Sequence, residues 1–355
     1  MQFVQPSVEL INETDNFKRI EKCGRICYKS EDKITDESAY PFFQRIAKRG
    51  HTSVLEHSVI YVRTHNPETY LWLVACLDSY SSETGYPHYI RFTQWEYDDT
   101  LYTPSHRGSD MPLGFCNGTE HLFSGNIRAW RKICERYSGE TILYDTFHKH
   151  PAFEDIFANY HDDSEQEYTS SDIEIIDSIP LDPKKFEYAY IHYPITLKIT
   201  GDRGVIDEYA RHRSCGISIE SSRYCDYSKN GVTFVFPYWF EDMKGDAKYA
   251  TFAGDFGNRC YDTEVAYQEW MKKCKIPQMA RGNLTLWVKS EGAFTATVQQ
   301  WIDILALRDS PAAHPEAQKI AKMIENVLVE EVGIEDLWGV KENVDQRTDN
   351  DVNEE

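Results

Sequence analysis

The chain has 355 residues, more than the roughly 100–200 of a typical single domain, and its 58 acids against 38 bases give a formal net charge of −20. Hydrophobic residues make up 41% and aromatics 14%, enough for a sizeable core, so global disorder is excluded. The charge disfavours long nucleic acid, which calls for an extended basic stripe, and neither an apolar run of about 18 residues nor a basic-then-apolar start argues for a membrane span or a secretory signal. The nine cysteines are scattered, without a CxxC pair, and read as reduced, mostly buried thiols of a cytoplasmic protein.

Along the chain, Thr14 or Asp15 caps a first helix with Phe17, Ile20, Gly24 and Cys27 on one face. The spacing of Ala39, Phe42, Phe43, Ile46 and Ala47 predicts a second helix from Ser38 to Arg49. Pro41 lies in its first turn, and Gly50 stops it. Residues 58–64 (SVIYVRT), 193–200 (YPITLKIT) and 231–237 (GVTFVFP) read as strands. The stretch from Glu154 to Asp182 is strongly acidic and reads as a solvated surface excursion. Residues 262–274 are helical by pattern. Phe294, Val298, Trp301, Ile302 and Leu305 mark an amphipathic helix that carries Arg308 at its end. Pro315 opens a last helix with Ala317, Ile320, Ala321, Ile324, Val327 and Leu328 on its buried face. Residues 340–355 have almost nothing to bury and are expected to form a disordered acidic tail. Strands interspersed with long helices give an α+β (mixed α/β) class, with a central sheet flanked by helices.

Four arginines, Arg203, Arg211, Arg213 and Arg223, fall within 21 residues of this acidic chain. Such a cluster serves either a small anion, which the guanidinium fork grips two oxygens at a time, or structural ion pairs with the many acids. His51, Glu56 and His57 have the spacing H-x4-E-H, which fits neither zinc pattern H-E-x-x-H nor H-x-x-E-H, so no metal site is read there. Ser221 has no histidine–carboxylate relay around it in sequence, and Cys215 and Cys225 beside it read as packing residues rather than nucleophiles.

The order Arg211-His212-Arg213, seven residues, Ser221, then Arg223-Tyr224 resembles the signature of the flavin-dependent thymidylate synthases, and Cys225-Asp226-Tyr227 follows as in a long-form subset of that family. The segments 23–38, 48–57, 202–213 and 277–318 resemble further blocks of the same family in the same order. The resemblance implies one catalytic domain over residues 1–339. The region 66–192 is then an insert that compact members lack, acidic from about 154 to 182.

It also implies an activity: dUMP becomes dTMP, methylenetetrahydrofolate supplies the carbon, and FAD reduced by NADPH carries the hydride. FAD and dUMP are then held in a homotetramer, at subunit interfaces. Residue by residue, His57, Arg211, His212, Arg213 and Asp303 match positions that contact the flavin. Glu208, Glu220, Ser221, Arg223, Tyr224, Arg281 and Arg308 match the dUMP pocket. Within that set Ser221 and Arg223 are the phosphate pair, and Arg308 reaches the uracil carbonyls, where a cation stabilises developing negative charge. The chain departs from the family pattern at Gln278, Gln299 and Asp303, where glutamate, arginine and asparagine or histidine are common. Two rival expectations use the same site: hydroxymethylation of dUMP or a related pyrimidine nucleotide, and nucleotide binding without turnover.

Overall fold

A computed structural model describes residues 1–85, 90–96, 119–158, 173–176 and 190–334, with the backbone alone at 91–96 and 119–120. The chain divides into two compact units, Met1–His57 together with the chain from Pro194, and Ser58–Tyr193. The sequence begins in the first unit with β1 (Gln2–Val4), β2 (Ser7–Leu10), α1 (Asn16–Ile26), α2 (Ala39–Lys48) and a 3-10 turn at Thr52–His57. The second unit carries β3 (Ile60–Thr64), α3 (Pro67–Thr84), β4 (Arg91–Glu96), β5 (Thr119–Gly125), α4 (Ile127–Arg136), α5 (Thr141–Phe147), α6 (Glu154–Phe157) and β6 (Ile173–Ile176). The return to the first unit brings β7 (Pro194–Asp202), α7 (Arg203–Tyr209), β8 (Gly216–Ile219), β9 (Thr233–Val235) and α8 (Trp239–Asp242). It ends with α9 (Tyr249–Cys274), α10 (Pro277–Ala280), β10 (Lys289–Thr297), α11 (Val298–Arg308) and α12 (Pro315–Asn326). The fold is mixed helix and sheet, as the alternation of patterns predicts.

Local chemistry explains the boundaries. The Asp15 carboxylate accepts the Lys18 N–H at 2.9 Å and starts α1. Gly24 lets α1 lie against its neighbours, because a Cβ there would meet the Phe42 ring at 2.7 Å and Val54 at 2.8 Å. Thr297 and Gln300 form a reciprocal capping box at the start of α11. This cap places Phe294 outside the helix to which its spacing assigned it. Phe294 is a strand residue of β10, opposite Leu197 on β7 and Ile217 on β8.

The first unit's main sheet is antiparallel in the order β2-β7-β10-β8. Its long inner strand, β10, is buried at nearly every position on both faces, so the alternation that marks β7 is missing from its sequence. A stripe of Phe256, Cys260, Thr263, Tyr267 and Met271 extends α9 well before residue 262. At Gly254 and Gly257 an added Cβ would meet nothing within 4 Å, so both lie on an open side of the helix. In the second unit β4-β5-β3-β6 form a four-stranded antiparallel sheet. The unit therefore begins at Ser58, before the expected insert boundary, because β3 finds its partners β5 and β6 there.

One stretch expected to be a solvated excursion is different. Within 154–182, Ile173–Ile176 pairs with β3, Ile173 is buried, and Glu174 pairs with Arg63. The rest of that stretch beyond residue 158, and the tail 340–355, lie outside the described residues.

Candidate functional site

The residues singled out in the sequence gather at the two ends of β8, a strand of four residues that spans about 13 Å. Its first residue is pinned by an earlier turn. A Cβ on Gly216 would lie 2.7 Å from the Glu56 carbonyl, so only glycine lets the Thr52–His57 turn approach so closely.

His57 ends that turn and is fully buried, with Nδ1 2.8 Å from Thr295 Oγ1 and Nε2 2.9 Å from Ser218 Oγ. Thr295 continues the network to Thr196 at 2.8 Å, so His57 ties β8 to β10 and β7. Burial, with a smaller contribution from Arg19, lowers its pKa to about 3 and keeps the ring neutral. The flavin contact expected of His57 has no exposed atom to make it with. His51, in the same segment, is the exposed histidine. Its Nδ1 lies 3.1 Å from the Tyr28 hydroxyl, and the Tyr28 ring packs on Tyr224 with centroids 5.4 Å apart. The sequence weighs His51 only as a metal ligand, and burial is what separates the two histidines.

At the leading end of β8, Arg308 stands at the C-terminus of α11, where the helix dipole favours a cation. Its Nη1 donates to Glu208 Oε2 at 2.9 Å, its Nη2 to the Glu208 carbonyl at 2.7 Å, and its Nε to His212 Nε2 at 2.9 Å. The last bond fixes a tautomer, because Nε2 must accept and the His212 proton must sit on Nδ1. Burial first, then the charge of Arg308, lowers the His212 pKa to about 4, so the acceptor persists at neutral pH. Two of the five Arg308 N–H groups remain for a ligand. Arg211 and Arg213, on the turn that follows α7, are exposed, and no carboxylate among the described residues pairs with either. Asp303 is exposed on α11 and accepts a bond from Gln299 at 3.3 Å.

At the trailing end, the chain turns over Ser221, whose carbonyl accepts the Tyr224 and Cys225 N–H groups at 3.0 and 2.9 Å. Ser221 Oγ has no partner among the described residues, and Tyr224 is 53% exposed. Arg223 is exposed and makes one long bond, 3.4 Å, to Gln278 on α10. That bond brings it toward Arg281, the exposed residue that follows α10. Neither Arg223 nor Arg281 has a carboxylate partner among the described residues. Arg49 and Arg259 are also exposed and unpaired, so the lack of a partner does not by itself mark a site. What marks this one is Arg223 close in sequence to a Ser221 hydroxyl that has no partner among the described residues, with Arg281 three residues past the Gln278 that Arg223 reaches.

Glu220, expected in the nucleotide pocket, points inward and is 1% exposed. It accepts the Tyr227 hydroxyl at 2.6 Å and pairs with Lys29 at 2.9 Å and Lys289 at 3.2 Å. Burial opposes the charge on Lys289, yet Glu220 and Glu291 outweigh it and hold the ammonium's pKa above its ordinary value. Cys215 and Cys225 are buried, which pushes their pKa values up to about 12 and about 11 and keeps both thiols protonated. Among the described residues no group of three or more His, Cys, Asp or Glu side chains is placed to hold a metal ion, and no helix is long and apolar enough to cross a membrane.

A family model described as thymidylate synthase complementing protein matches residues 9–70 and 182–332. The stretch between the matched segments falls in the region read as an insert. No curated protein matches the chain.

Proposed function

Because the chain belongs to the thymidylate synthase complementing protein family, the flavin-dependent thymidylate synthases, we propose that it converts dUMP to dTMP. In this reading methylenetetrahydrofolate donates the carbon, tetrahydrofolate is released, and NADPH is the reductant. The observation that carries the reading is the open cationic turn at the trailing end of β8. In a chain of net charge −20, Arg223, two residues past Ser221, and Arg281, three residues past its Gln278 partner, have no carboxylate partner among the described residues. A phosphate is the ligand that suits two forks and one neutral donor.

The exposed pair Arg211 and Arg213 fits the diphosphate of FAD on the same argument. His57 does not fit the cofactor, since both of its nitrogens are engaged in the core. His51 is the histidine of that segment available to a ligand. Asp303 fits a hydroxyl or an N–H of the cofactor and not its phosphates, which would repel it. FAD, once reduced, supplies the hydride equivalent that turns a transferred methylene into a methyl group.

The chain's own residues bind and orient. Ser221, Arg223 and Arg281 grip the nucleotide phosphate, with the Tyr224 ring along the pocket wall. Arg308 directs its two remaining N–H groups at the uracil carbonyls, where they stabilise negative charge that develops during the transfer. Glu208 and neutral His212 hold that guanidinium in place by three hydrogen bonds.

One chain presents the phosphate ligands and Arg308 at opposite ends of β8. This separation supports a pocket completed by a second chain, and with it the homotetramer. Assayed at dUMP well below the raised KM, Arg223→Ala and Arg308→Ala should each be nearly inactive alone, yet co-expressed they should recover measurable activity, because some shared sites escape both changes. Verified mixed tetramers without any recovery would sink the shared pocket. Free thiols at all eight cysteines among the described residues support a reducing, cytoplasmic setting. The reaction itself is tested by incubation with dUMP, methylenetetrahydrofolate, NADPH and FAD, followed by the mass of the product. A methylated nucleotide is expected; a hydroxymethylated one, heavier by an oxygen, or an unchanged one would overturn the assignment.

A further inference from the structure

We propose that Lys29 is a positioning residue, which through the buried carboxylate of Glu220 locks the Ser221–Tyr224 turn in the shape that grips a phosphate. This rests on the reading of Ser221 and Arg223 as phosphate ligands.

Three successive residues just past α1 clasp the loop that follows β8. The Cys27 carbonyl accepts the Ser221 N–H at 2.9 Å, and the Cys225 thiol lies 3.7 Å from the same oxygen. The Tyr28 ring packs on Tyr224. Lys29 then reaches Glu220 at 2.9 Å and stands 5.1 Å from the centre of the Tyr227 ring. To do so it adopts a φ of 46°, a left-handed conformation that costs any side-chain-bearing residue and suits glycine. A lysine at such a position needs a reason, and the ion pair with Glu220 supplies one.

The pair also sets the local charge. Lys29, Lys289 and Lys198 surround Glu220 and Glu291, three cations against two anions, directly behind the turn. Glu220 is the residue before Ser221, so the anchored carboxylate fixes the start of the turn while Cys27 fixes its first amide. Without the Lys29 ammonium the cluster is neutral, and the Glu220 side chain loses one of its three holds. The nucleotide's phosphate would feel both changes and its base neither.

The test uses the full chain and calorimetric titration with dUMP and with deoxyuridine, which lacks the phosphate. Lys29→Gly removes the ammonium and relieves the left-handed strain, so the fold is kept. It should weaken dUMP about tenfold while deoxyuridine changes less than about twofold, and amides 221–225 should exchange faster with solvent. Lys29→Arg should recover most of the loss. The clasp is overturned if Lys29→Gly binds dUMP as wild type does, if both ligands weaken alike, or if Lys29→Arg recovers nothing. A wild-type protein that does not bind dUMP would instead overturn the functional reading and the clasp with it. Should Lys29→Gly not fold, Glu220→Gln carries the same titrations, since it keeps an acceptor for Tyr227 and loses the charge that Lys29 seeks.

Discussion

The two ends of β8 treat charge in opposite ways. At the leading end, where Arg211 and Arg213 face out, one cation is enclosed: Arg308 is held by Glu208 and His212 through three hydrogen bonds before any ligand arrives. At the trailing end the acid is enclosed instead. Glu220 is turned inward onto Lys29 and Lys289, and Arg223 and Arg281 are left facing out. A guanidinium already gripped by the protein is oriented and gives only its remaining donors, which suits contact with one edge of a base. A guanidinium with no carboxylate partner among the described residues has most of its fork to offer, which suits a phosphate. In the proposed reaction the first arrangement would serve orientation and the second affinity.

The largest effect should come from breaking the enclosed end. Arg308→Ala removes the ligand contact and also releases Glu208 and His212, so kcat/KM should fall about a hundredfold or more, in kcat as well as KM, given roughly 1.5–3 kcal/mol per charged hydrogen bond. Arg308→Lys keeps the charge but not the fork and should lie between. Steady-state kinetics on dUMP decides it, and a loss confined to KM would contradict an orienting role. Breaking the open end should do less and do it differently. Arg223→Ala should raise KM for dUMP about 10- to 100-fold with kcat nearly kept. Its melting temperature should stay close to wild type, because Arg223 has only the 3.4 Å bond to Gln278 and the ring of Tyr224 beneath it. A fall of several degrees would show that Arg223 is structural.

The contrast explains what could be read in advance. Helix starts were legible because a cap is local, as at Asp15 and Pro315. The arginine signature was legible for the same reason, since Arg211 to Tyr224 is one short segment. What the segment could not say is which way each side chain faces. Glu220 and Ser221 are neighbours, yet one is 1% exposed among lysines and the other offers a free hydroxyl. His51 and His57 share a motif, and only the fit of Ser218 and Thr295 around one ring tells core from surface. β10 escaped because small residues buried on both faces leave no alternation to read. Phe294 was assigned to the helix after it for that reason.

Acid should loosen the pins that hold β8. Burial lowers the pKa of His57 to about 3 and that of His212 to about 4, against an ordinary value of 6.5. Groups depressed in this way contribute stability that is fully present above pH 6.5 and is lost as pH falls toward 4. Glu316, raised to about 7 by burial, works in the opposite sense and favours the fold as pH falls below 7. The denaturant midpoint should therefore decline between pH 6.5 and 4, and His57→Gln should show a shallower decline than wild type. An equal slope in the variant would mean that His57 does not titrate between the folded and unfolded states.

The smallest effect is expected where the sequence offers its most tempting nucleophiles. Cys215 and Cys225 flank Ser221, but one lies at each end of β8, and both are nearly sealed from solvent. Burial raises their pKa values to about 12 and about 11, so at neutral pH the thiolate fraction of each is below about one part in a thousand. A thiol attack on uracil would require that minor species, and the proposed reaction with a reduced flavin does not call for one. Cys215→Ser and Cys225→Ser remove the sulfur and keep most of the volume, so each should retain kcat within about threefold, with a modest stability loss from a buried hydroxyl. Turnover of dUMP and a dUMP titration on the same sample separate the outcomes. Complete loss of turnover in a folded variant that still binds dUMP would bring a thiol into the chemistry, and the division between an orienting end and a binding end would then need a third, nucleophilic, element.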